Sequence, residues 1–220
     1  MKYTNVFFDL DGTITEPALG ITNALIYALE KFDIRVEDRT TLYKFIGPPL
    51  RDSFAQFYGF NEEQTLYAIG YYREYYSVNG IKENELMPGM RKSLEYLKNN
   101  GAKLYVATSK PELFAKQILE HLGVAGYFDI IAGATMDEKR TKKTEILEYL
   151  LDETQIGDSE RALRKTVMVG DRHFDILGAK HFGMDSIGVL FGYGSREELS
   201  EAGATYLAAD AAEMCRYIIW

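Results

Sequence analysis

A chain of 220 residues with 25 basic and 33 acidic side chains, net charge −8, is long enough to bury a substantial core and is globular by composition. The acidic balance disfavours non-specific attraction to nucleic acid or an anionic membrane, so an anionic ligand has to be met by a local group of cations. Cys215 is the sole cysteine, which excludes an intramolecular disulfide and suits a reducing cytosol. The segment Met1-Lys2-Tyr3-Thr4-Asn5 lacks a signal-peptide pattern, and no apolar run approaches the roughly 18 residues needed to cross a bilayer. A soluble cytoplasmic protein is expected, as a monomer or weak homodimer.

The first β-rich run, residues 3–8, leads into Asp9-Leu10-Asp11-Gly12-Thr13. Side chains of an extended backbone alternate with period two, so Asp9 and Asp11 share one side while Leu10 faces the other. Two converging carboxylates repel unless a cation or a shared proton offsets them, which points to a metal site or to acid/base chemistry. An Asp-x-Asp-Gly turn is the plainer explanation. It is disfavoured here because the chain continues through Pro17 into a helical pattern rather than a second hairpin strand.

Between Pro17 and Glu83 no strand pattern is found. Ile21, Ala24, Leu25, Ala28, Leu29 and Phe32 recur at helical spacing, and a second helix carries the aromatic stripe Tyr67, Tyr71 and Tyr75. Such stripes are usually packed faces, so this one, with Phe54, Phe57, Tyr58, Phe60, Tyr72 and Tyr76, is assigned mostly to a helical core. The expected division is an α/β domain of residues 1–15 and 84–220, and a helical domain of residues 16–83 inserted directly after the acidic pair. That module is placed to act as a lid.

Beyond the insert, β-rich runs at 103–107, 129–132, 166–169 and 186–190 alternate with helical patterns at 89–99, 111–122, 144–151 and 173–182. The alternation predicts βαβ units and an α/β fold with a Rossmann-like parallel sheet, whose ligands lie at the carboxyl ends of the strands. Three segments fall there. In Thr108-Ser109-Lys110-Pro111, hydroxyls close a strand and Pro111 opens a helix, whose free N–H groups could receive a phosphate beside Thr108 and Ser109. The run Lys139, Arg140, Lys142 and Lys143 is mostly a solvated face, with one member available for phosphate oxygens. In Gly170-Asp171-Arg172-His173-Phe174-Asp175, a helix starting near Arg172 would turn Asp171 and Asp175 toward one site. Four gathered carboxylates, all oxygen ligands, suit Mg²⁺. His121, His173 and His181 have no zinc-ligand spacing and read as structural or surface residues, and Gly192-Tyr193-Gly194 reads as a loop.

In their order, Asp9-Leu10-Asp11-Gly12-Thr13, Thr108, the 139–143 lysines and Gly170-Asp171-x-x-x-Asp175 resemble the haloacid dehalogenase-like hydrolases over essentially the whole chain. The insert resembles that family's C1 cap, and Ile46-Gly47-Pro48-Pro49-Leu50-Arg51 resembles its phosphoglycolate-phosphatase-like branch. The resemblance implies a Mg²⁺-dependent phosphatase in which Asp9 is the nucleophile, forming an aspartyl-phosphate, and Asp11 is the general acid and base. It implies metal ligation by Asp9, the Asp11 carbonyl and Asp171, supported by Asp175. Substrate contacts are implied for Gly12, Thr108, Ser109, Lys143 and Arg51, with Lys139 in reserve for the lysine. The substrate expected is a small phosphorylated metabolite, phosphoglycolate or a nucleoside 5′-monophosphate leading. Glu16-Pro17, where relatives often have Asp-Ser, and Phe174, often His, depart from the pattern. The alternatives are a sugar phosphomutase of the β-phosphoglucomutase type, for which the first cap helix lacks a histidine, and a non-catalytic phosphate-binding regulator, which would be expected to lack Asp9 or Asp11.

Overall fold

The first apolar run forms strand β1 (Asn5–Phe8), buried on both faces: Val6 and Phe8 join one core cluster and Phe7 joins the other. Burial on both sides is why this strand reads as a continuous apolar run rather than an alternating one. The computed structural model describes residues 1–137 and 139–220.

After β1 come β2 (Thr15–Glu16), α1 (Ala18–Glu30), a 3₁₀ stretch (Arg39–Phe45), α2 (Leu50–Tyr58), α3 (Glu62–Tyr75), a π turn (Tyr76–Gly80) and β3 (Glu85–Leu86). β2 and β3 pair antiparallel, Thr15 opposite Leu86, so the helical stretch leaves and rejoins the chain through adjacent strands. The sequence pattern gives no sign of this pair, because two residues per strand are too few to show a period.

α1 buries Ile21, Ala24, Leu25, Ala28 and Leu29, at the expected spacing, and packs against α3. On α3 the packed face is offset from the expected stripe. Thr65, Ala68, Ile69 and Tyr72 are buried, Tyr71 and Tyr75 are half-buried, and Tyr67 is 58% exposed. Tyr71 and Tyr75 pack against the edge of the core, Tyr75 beside the Tyr27 ring and Tyr71 beside Phe32, and the Tyr75 hydroxyl donates to Glu83 at 3.1 Å, while Tyr67 stays outside it. Phe54, Phe60 and Tyr76 do belong to the buried aromatic core.

The remainder is α4 (Met90–Asn99), β4 (Lys103–Pro111), α5 (Glu112–His121), β5 (Ile130–Ala134), α6 (Lys143–Thr154), α7 (Glu160–Leu163), β6 (Thr166–Gly170), α8 (His173–His181), β7 (Asp185–Val189), α9 (Arg196–Ala202), β8 (Tyr206–Ala208) and α10 (Ala211–Ile219). Six strands form one parallel sheet in the order β5-β4-β1-β6-β7-β8. The fold is an α/β Rossmann-like core, as expected, with β8 and the last two helices beyond what the pattern revealed. β1 lies in the middle, where the strand order reverses direction, and such a switch point opens a crevice at the carboxyl ends of the strands.

One boundary differs in a way that matters for the site. β4 continues past Ala107 through an irregularity to Pro111, and α5 begins only at Glu112, with Pro111 extended at ψ 127° as its cap. Proline disfavours a helical residue before it, so Lys110 stays extended. Thr108 and Ser109 therefore sit on the strand end and not at the N–H groups of a helix. Among the described residues, no helix is long and apolar enough to cross a membrane.

If the offset face is the one that holds the helices together, Ala68→Leu overpacks it and lowers stability by about 1–3 kcal/mol. Tyr67→Ala, on the exposed flank, changes it by less than about 0.5 kcal/mol. Urea unfolding of the two variants measures the contrast, and an equal loss in both would contradict it.

Candidate active site

Asp9 and Asp11 leave the end of β1 where it lies between β4 and β6. The Asp9 N–H donates to the Val169 carbonyl at 2.9 Å, which fixes the first acid beside the end of β6. Gly12 adopts φ +81°, and a Cβ there would collide with the Asp171 carboxylate, so the absence of a side chain is what lets Asp171 close on the acidic pair. The Asp171 carboxylate accepts the Tyr193 N–H at 2.8 Å and the Thr13 hydroxyl at 3.2 Å. Asp175 is the third residue of α8, and its Oδ2 accepts the Arg172 N–H at 3.1 Å, a capping arrangement that turns its carboxylate back toward the sheet. Oxygens of Asp9, Asp171 and Asp175 lie within 4.8 Å of one another, and all three residues are buried.

Two buried lysines face these acids. Lys143, at the start of α6, places Nζ 3.0 Å from Asp9 Oδ1 and 2.7 Å from Asp175 Oδ1. These are ion pairs off the hydrogen-bonding direction; the directed bond runs to the Ala107 carbonyl at 2.6 Å. Both carboxylate oxygens, and Asp11 Oδ1, accordingly lack a hydrogen-bonding partner. Lys110 reaches from the end of β4 to Asp11 Oδ2 at 2.6 Å and lies over the Tyr76 ring at 4.8 Å. Of the 139–143 run, Lys139 is exposed beside Asp137, Arg140 is tied to Glu112 at 2.7 Å, and Lys143 alone is buried.

Burial in this crevice decides the proton affinities. It raises Asp11 from its ordinary value, although Lys110 pulls it down; Asp171 is raised well above its ordinary value by burial and by the charges of Asp9 and Asp175. Asp175 is pushed up to about 6 by burial against the pull of Lys143. Burial would lower Lys143, yet the Asp175 and Asp9 carboxylates outweigh it and push it up to about 12. Ionised, Asp9, Asp11, Asp171 and Asp175 carry four negative charges against two positive ones on Lys110 and Lys143, leaving two uncompensated. A divalent cation supplies that deficit, and the oxygen-only donor set, with orphaned oxygens on Asp9 and Asp175, fits a hard ion such as Mg²⁺.

A cavity of about 370 Å³ opens from Asp11 toward the helical stretch. Its walls are apolar and aromatic, with Ile21, Phe45, Ile69, Tyr72, Tyr76 and Phe114, and its polar lining includes Ser109, Lys110, Lys142, Arg51 and Arg73. Thr108 is buried at the end of β4, and its hydroxyl accepts the Lys110 N–H at 3.2 Å. Arg51 sits in the first turn of α2, 3.6 Å from the Glu62 carboxylate. Sequence reasoning missed Lys110 and Tyr193. The first is signalled only by a lysine following two strand-end hydroxyls, and the second, inside a segment read as a plain loop, by nothing local, since its backbone N–H is what serves Asp171.

Raised carboxyl groups have a defined effect on stability. An acid near pKa 6 in the folded state and about 4 in the unfolded chain binds its proton more tightly when folded, so metal-free stability rises as pH falls through that window. In the absence of divalent ions the unfolding midpoint is expected to be higher at pH 5.5 than at pH 8. Lys143→Met removes the partner of Asp9 and Asp175 and costs about 3–5 kcal/mol at pH 8, less at pH 5.5 where Asp175 is protonated. Calorimetry at the two pH values checks both signs.

The sequence is matched from residue 6 to residue 189 by the family model described as haloacid dehalogenase-like hydrolase. A protein named 5′-nucleotidase from Pseudomonas aeruginosa is 41% identical over 214 residues, covering 97% of this chain and 95% of that protein. The tyrosine-protein kinase PtkA of Mycobacterium tuberculosis is 36% identical over 201 residues, covering 91% of this chain and 66% of that protein. The crystal structure of a predicted phosphatase from Clostridium acetobutylicum superposes with a TM-score of 0.93 at 44% identity, over 100% of this chain and 99% of that one. With the acids of β1 and β6 and the two lysines arranged as above, the match over most of its length shows that this chain belongs to the haloacid dehalogenase-like hydrolases.

Proposed function

We propose that this protein is a Mg²⁺-dependent phosphomonoesterase that works through a phosphorylated Asp9. The observation that carries this reading is the Asp9 carboxylate, buried among Lys143, Asp171 and Asp175 and two residues from an acid whose Oδ1 is unpartnered beside an open cavity. An oxygen of Asp9 attacks phosphorus in line, and the bond to the substrate oxygen breaks as that oxygen takes a proton from Asp11. Water then gives its proton back to Asp11 and attacks the same phosphorus, releasing Asp9 and inorganic phosphate. Asp11 has to hold a proton in the first step, and burial favours that form. Lys110 on Oδ2 leaves Oδ1 as the atom that carries the proton.

Lys143, Thr108, Ser109 and the Gly12 backbone hold the phosphate oxygens in this reading. Asp9, the Asp11 carbonyl and Asp171 would hold Mg²⁺, with Asp175 in support, and the bound ion supplies charge that offsets repulsion between carboxylate and phosphate dianion. Residues 16–83 form the cap domain over the core of residues 1–15 and 84–220, and its closure keeps water from the reacting centre. The aromatic wall of Phe45, Tyr72, Tyr76 and Phe114 favours a planar, larger leaving group, so a nucleoside 5′-monophosphate is preferred over phosphoglycolate. The name 5′-nucleotidase borne by the Pseudomonas aeruginosa relative supports the same choice.

Purified protein is expected to release phosphate from p-nitrophenyl phosphate with Mg²⁺ and to lose that activity under chelation. Asp9→Asn should lower kcat by a factor on the order of 10⁴ or more with the fold intact. Absence of turnover across a phosphomonoester panel with Mg²⁺, Mn²⁺ and Co²⁺ would leave the regulator reading in its place. Within the panel, kcat/KM is expected to be higher for adenosine 5′-monophosphate than for phosphoglycolate; the reverse order sinks the substrate assignment.

A further inference from the structure

Arg172 is the residue between the buried acid Asp171 and helix α8, yet its side chain turns away from the acids. Its Nε donates to Glu198 Oε1 at 2.9 Å, and its Nη1 crosses to the helical stretch and donates to the Ile46 carbonyl at 2.8 Å. Glu198 Oε1 is fixed in turn by the His173 N–H at 2.9 Å and by His173 Nδ1 at 2.7 Å. The side chain is only 17% exposed and lies against Gly47, where a Cβ would meet Arg172 Cγ and Nη1 at 3.2 Å. Gly47 has φ +105°, a conformation that favours glycine.

The segment held by this contact forms part of the cavity wall. Gly47, Pro48, Pro49, Leu50 and Arg51 all line it, and the first two residues after Gly47 are prolines without N–H groups. Such a segment offers few donors for holding it in place, so a carbonyl at its start is the natural handle. A guanidinium clamped by a carboxylate is pre-organised to grip that handle, because its donors sit in a fixed plane. On the other side, the Arg172 backbone N–H is bonded to Asp175 Oδ2. One residue thus connects the acidic cluster with the wall of the cavity 126 positions away in sequence.

We propose that Arg172 is a positioning residue for substrate selectivity: it fixes segment 47–51 over the cavity, from an attachment shared with the acidic cluster, and so sets how tightly the leaving-group end of the substrate is held. Glu198 orients the guanidinium for this task. The reacting phosphate lies at the Asp9 end and is not touched by Arg172, so the effect falls on binding of the leaving group. This inference rests on the phosphomonoesterase reading, which wild-type turnover of p-nitrophenyl phosphate tests separately.

The experiment compares wild type with Arg172→Met, Arg172→Lys and Glu198→Gln, using adenosine 5′-monophosphate and the much smaller acetyl phosphate, alongside amide hydrogen exchange of the metal-free proteins. The expected result for Arg172→Met is a KM for adenosine 5′-monophosphate raised roughly tenfold with kcat within about threefold, and acetyl phosphate constants within about threefold. Arg172→Lys and Glu198→Gln should fall between wild type and Met, and exchange across residues 46–54 should quicken in the order of the kinetic defects. Equal losses in kcat on both substrates would place Arg172 at the reacting centre and overturn the proposal. Unchanged exchange at 46–54 in folded Arg172→Lys and Glu198→Gln would overturn it too, whether or not any substrate is turned over.

Discussion

The balance of charge in one dry crevice is the constraint on which the rest of this structure depends. Four carboxylates are buried where β1 and β6 end, and a low-dielectric site tolerates them only with nearby cations. Lys143 meets Asp9 and Asp175, Lys110 meets Asp11, and Asp171 is held instead by the Tyr193 N–H and the Thr13 hydroxyl. In the proposed reading a divalent ion meets the remaining negative charge of the cluster. Burial first, and then the charges of Asp9 and Asp175, raise the proton affinity of Asp171 well above its ordinary value.

The sheet makes this gathering possible. Parallel strands deliver their carboxyl ends to one edge, and placing β1 between β4 and β6 brings three segments distant in sequence to the same few ångströms. The helical stretch between β2 and β3 emerges next to the acids, so the cavity has a charged end at Asp11 and Lys110 and a wall that is mostly apolar and aromatic. In the proposed reaction the charged end performs the chemistry and the wall selects the leaving group. Arg172 and Tyr193 tie the two together, since the Tyr193 N–H supports Asp171 while its hydroxyl bonds to Glu16 at the entrance to the helical stretch.

Much of the site was legible because its chemistry is local in sequence. Asp9 and Asp11 are two residues apart at a strand end, and Asp175 stands in the first turn of the helix that follows Asp171, so each pair is close in sequence and turned to one site by its own short segment. The choice of Lys143 over Lys139 rests on the family resemblance, through the Arg140-x-x-Lys143 spacing, and its side chain is buried while its neighbours meet solvent or other partners. Lys110 escaped notice because a four-carbon stem can swing to either side of a strand end. The aromatic stripe of α3 is mostly part of the packed core, with Tyr71 and Tyr75 partly buried against it, and only Tyr67 lies on the wet flank, since tyrosine suits both settings.

Local spacing and residue chemistry thus decide the α/β class, the central strands and the identity of the clustered acids, because those features rest on interactions between near neighbours. Tertiary structure alone decides the partners of Lys110, the support of Asp171 by a loop N–H, the antiparallel β2–β3 pair and the grip of Arg172 on Ile46. Each of these joins groups far apart along the chain through a backbone atom or a flexible side chain. Every residue has the same backbone atoms, and a long side chain has many rotamers, so nothing in the order of residues marks them.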